Sequence, residues 1–114
     1  MSSMTPTILL QRDQPVLVVG ASGGSRIISA VLQTILNVLD FDMPLKKAIS
    51  APRLHVEQAT EPVVVVEPGV GKKVIAGLAA KGHRVREEDS LGVVHAIGVE
   101  GPAITGQSDP RLMP

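Results

Sequence analysis

The sequence predicts an α+β fold in which one mixed, largely antiparallel sheet carries helices on one side. Three observations lead there. Short β-branched apolar runs recur along the chain, at Val16–Val19, Val63–Val66 and Val93–Val99. Between them lie two segments whose apolar residues repeat every four positions. Glycine and proline punctuate nearly every junction. Runs of strand period alternating with helix period, joined by short turns, make a layered sheet-and-helix domain.

The elements follow in order. Thr5–Gln11 reads as a strand, and Arg12-Asp13-Gln14-Pro15 as a polar turn. Val16–Val19 is a second strand ended by Gly20, close enough to the first to form an antiparallel hairpin. The Gly-rich turn Gly20–Ser25 leads into a helix, with Ser25 or Gly24 as the expected N-cap. In that helix Ile27, Val31, Ile35 and Leu39 form one stripe, and Ile28, Leu32 and Leu36 an adjacent one. The two stripes make a wide apolar face suited to packing on a sheet. Pro44–Ser50 is a short helix that Pro52 ends. The valine strand Val63–Val66 is bounded by Pro62 and Pro68. Val70, Val74 and Leu78 mark another helix, and Gly82 stands where a C-terminal glycine cap belongs. Val93–Val99, the turn Glu100-Gly101-Pro102 and Ala103–Gly106 form a closing hairpin. Such a sheet, taken alone, leaves its second face and its edges uncovered, which predicts a partner segment.

Composition narrows the function. The 114 residues suit one domain or a piece of one. Hydrophobic residues make up 44%, enough to oppose disorder. Phe41 is the only aromatic residue, so base-stacking platforms are missing. Lys+Arg and Asp+Glu both number 11, and a net charge of zero offers no field for nucleic acid or an anionic membrane. Without cysteine there is no thiol catalysis and no Cys-based zinc site. His55, His83 and His95 lack metal-ligand spacing and read as structural or solvated. Glu87-Glu88-Asp89 reads as a solvated turn, and Asp109 and Arg111, flanking Pro110, as a structural ion pair or turn, with active-site contact as the alternative. No signal peptide is visible after Met1.

The sharpest local feature is the turn containing Gly23 and Gly24. Paired glycines admit close approach of backbone N–H groups to a ligand, and a helix start adds free donors and partial positive charge. The place suits a phosphate, a carboxylate or an oxyanion, and equally a plain strand-to-helix turn. A dinucleotide site is the obvious rival. However, Arg26 occupies the third glycine position of that fingerprint, and Asp40, at the right separation for a ribose ligand, ends a helix pattern.

Four segments together resemble the γ-glutamyltranspeptidases. Ser2-Ser3-Met4-Thr5-Pro6-Thr7-Ile8 is similar to that family's Pro-Leu-Ser-Ser-Met-x-Pro-Thr-Ile, and Gly20–Ile27 to its Gly-x-x-Gly-Gly-x-x-Ile turn. Ala51-Pro52-Arg53-Leu54-His55 and Gly106-Gln107-Ser108-Asp109-Pro110-Arg111 match in family order. The resemblance implies a part of the αββα sandwich of the N-terminal-nucleophile hydrolases, with residues 1–114 forming the C-terminal portion of the small catalytic subunit. It implies a γ-glutamyl transferase or hydrolase acting on glutathione-like γ-glutamyl amides through an acyl-enzyme, without a cofactor or a metal. By that resemblance Gly23 and Gly24 would supply the oxyanion-hole N–H groups. Ser2 and Ser3 would hold the α-carboxylate end of the γ-glutamyl group. The family's threonine nucleophile lies well upstream of the paired serines, so it is expected outside this chain. Thr5 and Thr7 fall within the binding motif and the strand. The expected partner is the large subunit with the N-terminal segment of the small one, or a second copy pairing through the exposed sheet. Two other readings are a non-catalytic self-associating module and a nucleotide-binding βα unit.

Overall fold

The computed structural model describes residues 3–58 and 60–112. The chain divides into two compact units. One comprises the chain up to Ser50 together with the chain from Gly92 onward, and the other is Ala51–Leu91.

In the first unit, strands β1 (Thr7–Gln11), β2 (Gln14–Ser22), β6 (Val93–Glu100) and β7 (Ala103–Ser108) form an antiparallel sheet in the order β1-β2-β6-β7. Helices α1 (Ile27–Leu39) and α2 (Leu45–Ser50) belong to the same unit. Period-two alternation selects one sheet face. Leu17 and Val19 of β2 and Val94 and Ala96 of β6 are buried against Ile27, Ala30 and Val31 of α1 and Ile49 of α2. Each fully buried Val, Leu or Ile contributes about 1.5–3 kcal/mol of transfer free energy. The helices therefore cover one side of this sheet, as the periodicity predicts. Thr34, buried in the same helix, donates its hydroxyl to the Ala30 carbonyl at 2.9 Å and so leaves no polar atom unpaired. Asn37 Nδ2 donates to the Ala48 carbonyl at 3.1 Å and ties α1 to α2.

The opposite sheet face stays open. Ile8, Ile97 and Ile104 are 63%, 42% and 72% exposed. On α1, Ile28 and Leu32 also face outward, so only part of its wide apolar surface is used within the unit.

The strands from the middle of the chain form a separate sheet, where the sequence reading gathered all strands into one. β3 (Leu54–Glu57), β4 (Val63–Val66) and β5 (Arg84–Glu87) are ordered β3-β4-β5. β4 pairs antiparallel with β3 and parallel with β5, the latter through α3 (Lys72–Ala80). Both edges of β4 are thereby occupied, and it cannot join the first sheet. At the end of α3, Gly82 (φ 92°) donates to Ala79 O and His83 N donates to Leu78 O. This pair of bonds is a complete Schellman cap.

Two buried carboxylates organise the units. In Ala51–Leu91, Glu67 accepts the Arg53 N–H and the Leu91 N–H at 2.7 Å each, one on each carboxylate oxygen. Arg53, 1% exposed, donates Nη1 to the Leu91 carbonyl at 3.3 Å. In the other unit, Asp109 accepts the Val94 N–H at 2.8 Å and pairs with Arg111 Nη1 at 2.9 Å. That same Nη1 donates to the Ile49 carbonyl at 2.8 Å. No helix among the described residues is long and apolar enough to cross a membrane.

Candidate functional site

β2 runs two residues beyond the expected stop at Gly20. Gly20, Ala21 and Ser22 stay in register with His95, Val94 and Val93. The chain then turns through Gly23 (φ 134°, ψ 23°) and Gly24 (φ 59°), both in the positive-φ region that favours glycine. A 3-10 turn over Gly24–Arg26 follows, closed by Arg26 N to Gly23 O at 3.1 Å. The regular helix starts only at Ile27. The N-cap positions are consequently Gly23 for the short turn and Arg26 for α1, not Ser25 or Gly24, and neither makes a side-chain cap bond.

This leaves donors unspent. Among the described residues, neither Gly23 nor Gly24 donates its amide to a turn or loop carbonyl. Gly23 is exposed and Gly24 partly so. Two successive free N–H groups beside a helix start can hold an anion or stabilise a developing oxyanion.

Ser3 precedes β1, whose first residue, Thr7, pairs with Val19 of β2. In the β1–β2 ladder Leu9 faces Leu17, Ile8 faces Val18 and Thr7 faces Val19. Ser3 is partly buried, and its carbonyl accepts the Thr5 hydroxyl at 2.8 Å. Ser2 lies outside the described residues.

The turn does not open a dinucleotide fold. β2 is antiparallel to both of its neighbours, so α1 is not the crossover of a parallel βαβ unit. Among the described residues the one parallel pair, β4 with β5, lies in the other unit, away from the Gly-rich turn in sequence. Asp109 and Arg111 form the structural ion pair that the sequence suggests, with Asp109 1% exposed. In the second unit, a cleft of ≈ 530 Å³ is bordered by Val56, Glu61, His83 and Arg84. Its charged pair, Arg84 with Glu61, is solvent-exposed and satisfied internally, so it presents no preorganised polar group.

Gly92 escaped the sequence reading. It sits at the start of β6 with φ 82°, and its backbone packs directly against Gly23. Its only local signal was a glycine between Leu91 and Val93.

Comparison with known proteins decides the family. The family model described as Gamma-glutamyltranspeptidase matches residues 1–113. The chain belongs to the γ-glutamyltranspeptidase family. A glutathione hydrolase proenzyme of Bacillus subtilis subsp. natto is 40% identical over 98% of the chain. The crystal structure of an acivicin-inhibited γ-glutamyltranspeptidase superposes with a TM-score of 0.92 at 38% identity, over 99% of this chain and 62% of that one. The Helicobacter pylori γ-glutamyltranspeptidase T380A mutant gives 0.90 at 39% identity, over 97% of this chain and 62% of that one. The α+β architecture is thus that of the N-terminal-nucleophile hydrolases in this family. The chain spans 20% of the length of the B. subtilis subsp. natto relative.

Proposed function

We propose that these residues are the C-terminal portion of the small catalytic subunit of a γ-glutamyl transferase or glutathione hydrolase. In this reading Gly23 and Gly24 donate their N–H groups to the oxyanion formed when a nucleophile attacks the γ-glutamyl carbonyl. The hydroxyls of Ser2 and Ser3 hold the substrate's α-carboxylate. The threonine nucleophile and the remaining glutamyl-binding groups come from outside these residues. Collapse of the oxyanion expels the amine and leaves an acyl-enzyme, which water or an acceptor amine then cleaves.

The observation that carries this reading is the pair of uncommitted amides at Gly23 and Gly24. A donor fixed by the backbone needs no reorganisation as negative charge develops, and losing one costs about 10²–10³ in rate. Serine suits the neighbouring role because a hydroxyl donates to a carboxylate without adding charge. The open sheet face bearing Ile8, Ile97 and Ile104 fits a chain that packs against the rest of a larger protein.

The test is turnover of a γ-glutamyl anilide by the full-length protein. Gly24→Ala places a side chain on a φ of 59°, displacing the donor without deleting it, and should lower kcat by about 10²-fold. Ser3→Ala should raise KM more than it lowers kcat. Wild-type kcat in Gly24→Ala would remove the oxyanion assignment.

A further inference from the structure

We infer that Gly92 is a positioning residue for the glycine turn: its bare Cα is the wall against which Gly23 is set. The inference rests on Gly23 and Gly24 acting as the oxyanion donors.

The contact leaves no room for a side chain on Gly23 and only tight room for one on Gly92. A Cβ on Gly23 would stand 2.9 Å from the Gly92 Cα and 3.6 Å from the Gly92 nitrogen. A Cβ on Gly92 would meet Ala30 Cβ at 3.1 Å and the Ser22 carbonyl at 3.4 Å. Gly92 is therefore held between α1 and the end of β2, with backbone against backbone where it touches Gly23. Its φ of 82° independently disfavours a side chain there.

The wall is itself anchored. Val93 pairs with Ser22, the residue immediately before Gly23. Val94 donates its N–H to the buried Asp109 carboxylate at 2.8 Å, and Asp109 is held by Arg111 at 2.9 Å. Gly92 thus leads into a strand start fixed by ladder bonds on one side and by a buried ion pair on the other. Such support matters because donor placement controls rate: a misplacement of about 1 Å can cost about 10²-fold. An Ala at 92 must move away from Ala30, and Gly23 lies within reach of that movement.

The experiment uses the full-length protein and four variants, with kcat, KM and thermal unfolding measured for each. Gly92→Ala should lower kcat by about 10²-fold, with KM changed by no more than about threefold. The double variant Gly92→Ala/Ala30→Gly removes the nearer obstacle and should recover at least about tenfold of that kcat. Its stability should nevertheless fall further, because Ala30→Gly puts a glycine inside α1. Activity rising while stability falls is an outcome that a merely structural role cannot produce. Activity that simply follows stability overturns the inference, as does a double variant whose kcat stays at the Gly92→Ala level. Gly24→Ala and Ala30→Gly alone serve as references. If Gly24→Ala is inactive while Gly92→Ala keeps its kcat, the buttress is wrong and the oxyanion reading stands. If both keep their kcat, the oxyanion reading itself fails.

Discussion

Asp109 spends its whole carboxylate on the fold. One oxygen takes the Val94 N–H, and the other takes the backbone N–H and the guanidinium of Arg111 at 2.9 Å each. Removing one member of a buried ion pair leaves the other charge uncompensated, at a cost of about 3–5 kcal/mol. Asp109→Ala should therefore destabilise the protein by about that amount in a denaturant titration, and faster amide exchange at Val94 should report the lost acceptor. A loss below about 1 kcal/mol would mean that water replaces the carboxylate freely. The pairing of Asp109 with Arg111 was legible from their placement around Pro110. The Val94 and Ile49 contacts were not, because nothing local marks a partner so distant in the chain. The same holds for the candidate site. Gly23 and Gly24 announce themselves as neighbours in a turn, whereas Gly92 becomes significant only when the sheet brings β6 beside β2.

The first hairpin turns through Arg12 and Asp13, with φ of 52° and 63°. Two successive residues at positive φ are the mark of a type I′ connection, for which Asn-Gly is favoured. An L residue in the left-handed region costs roughly 1–2 kcal/mol, less for Asp. Replacing Arg12-Asp13 by Asn-Gly should stabilise the protein by about 1 kcal/mol, read as a higher midpoint in thermal unfolding with unchanged activity. A lower midpoint would show that the native pair makes compensating contacts. At this scale the long α1 stripe, the valine strand and both hairpins were readable, because period and turn chemistry agree there. β3 and β5 were missed. Each is four residues long, and Arg84–Glu87 alternates charges with a single valine, which reads equally well as a solvated loop. The separation into two sheets was also hidden, because strand composition does not state which partner an edge will choose.

For the molecule as a whole, an apolar surface remains unspent. Ile8, Ile97 and Ile104 lie on the open face of the four-stranded sheet. Expressed alone, the 114-residue chain should self-associate at micromolar concentration, and Ile97→Lys/Ile104→Lys should shift it toward monomer in light scattering. In the full-length protein the same pair should instead weaken the fold, since charges would be buried against whatever covers that face. A wild-type chain that stays monomeric would argue against any need for cover. The Glu67 carboxylate has a different consequence. It grips the amides of Arg53 and Leu91, so the first and last stretches of Ala51–Leu91 stand within the span of one side chain. A stretch closed in that way can be excised and bridged by a few residues, or its termini joined and reopened elsewhere, with little strain on the remaining chain. Residues 51–91 thus form a cassette whose loss or exchange needs only a short splice.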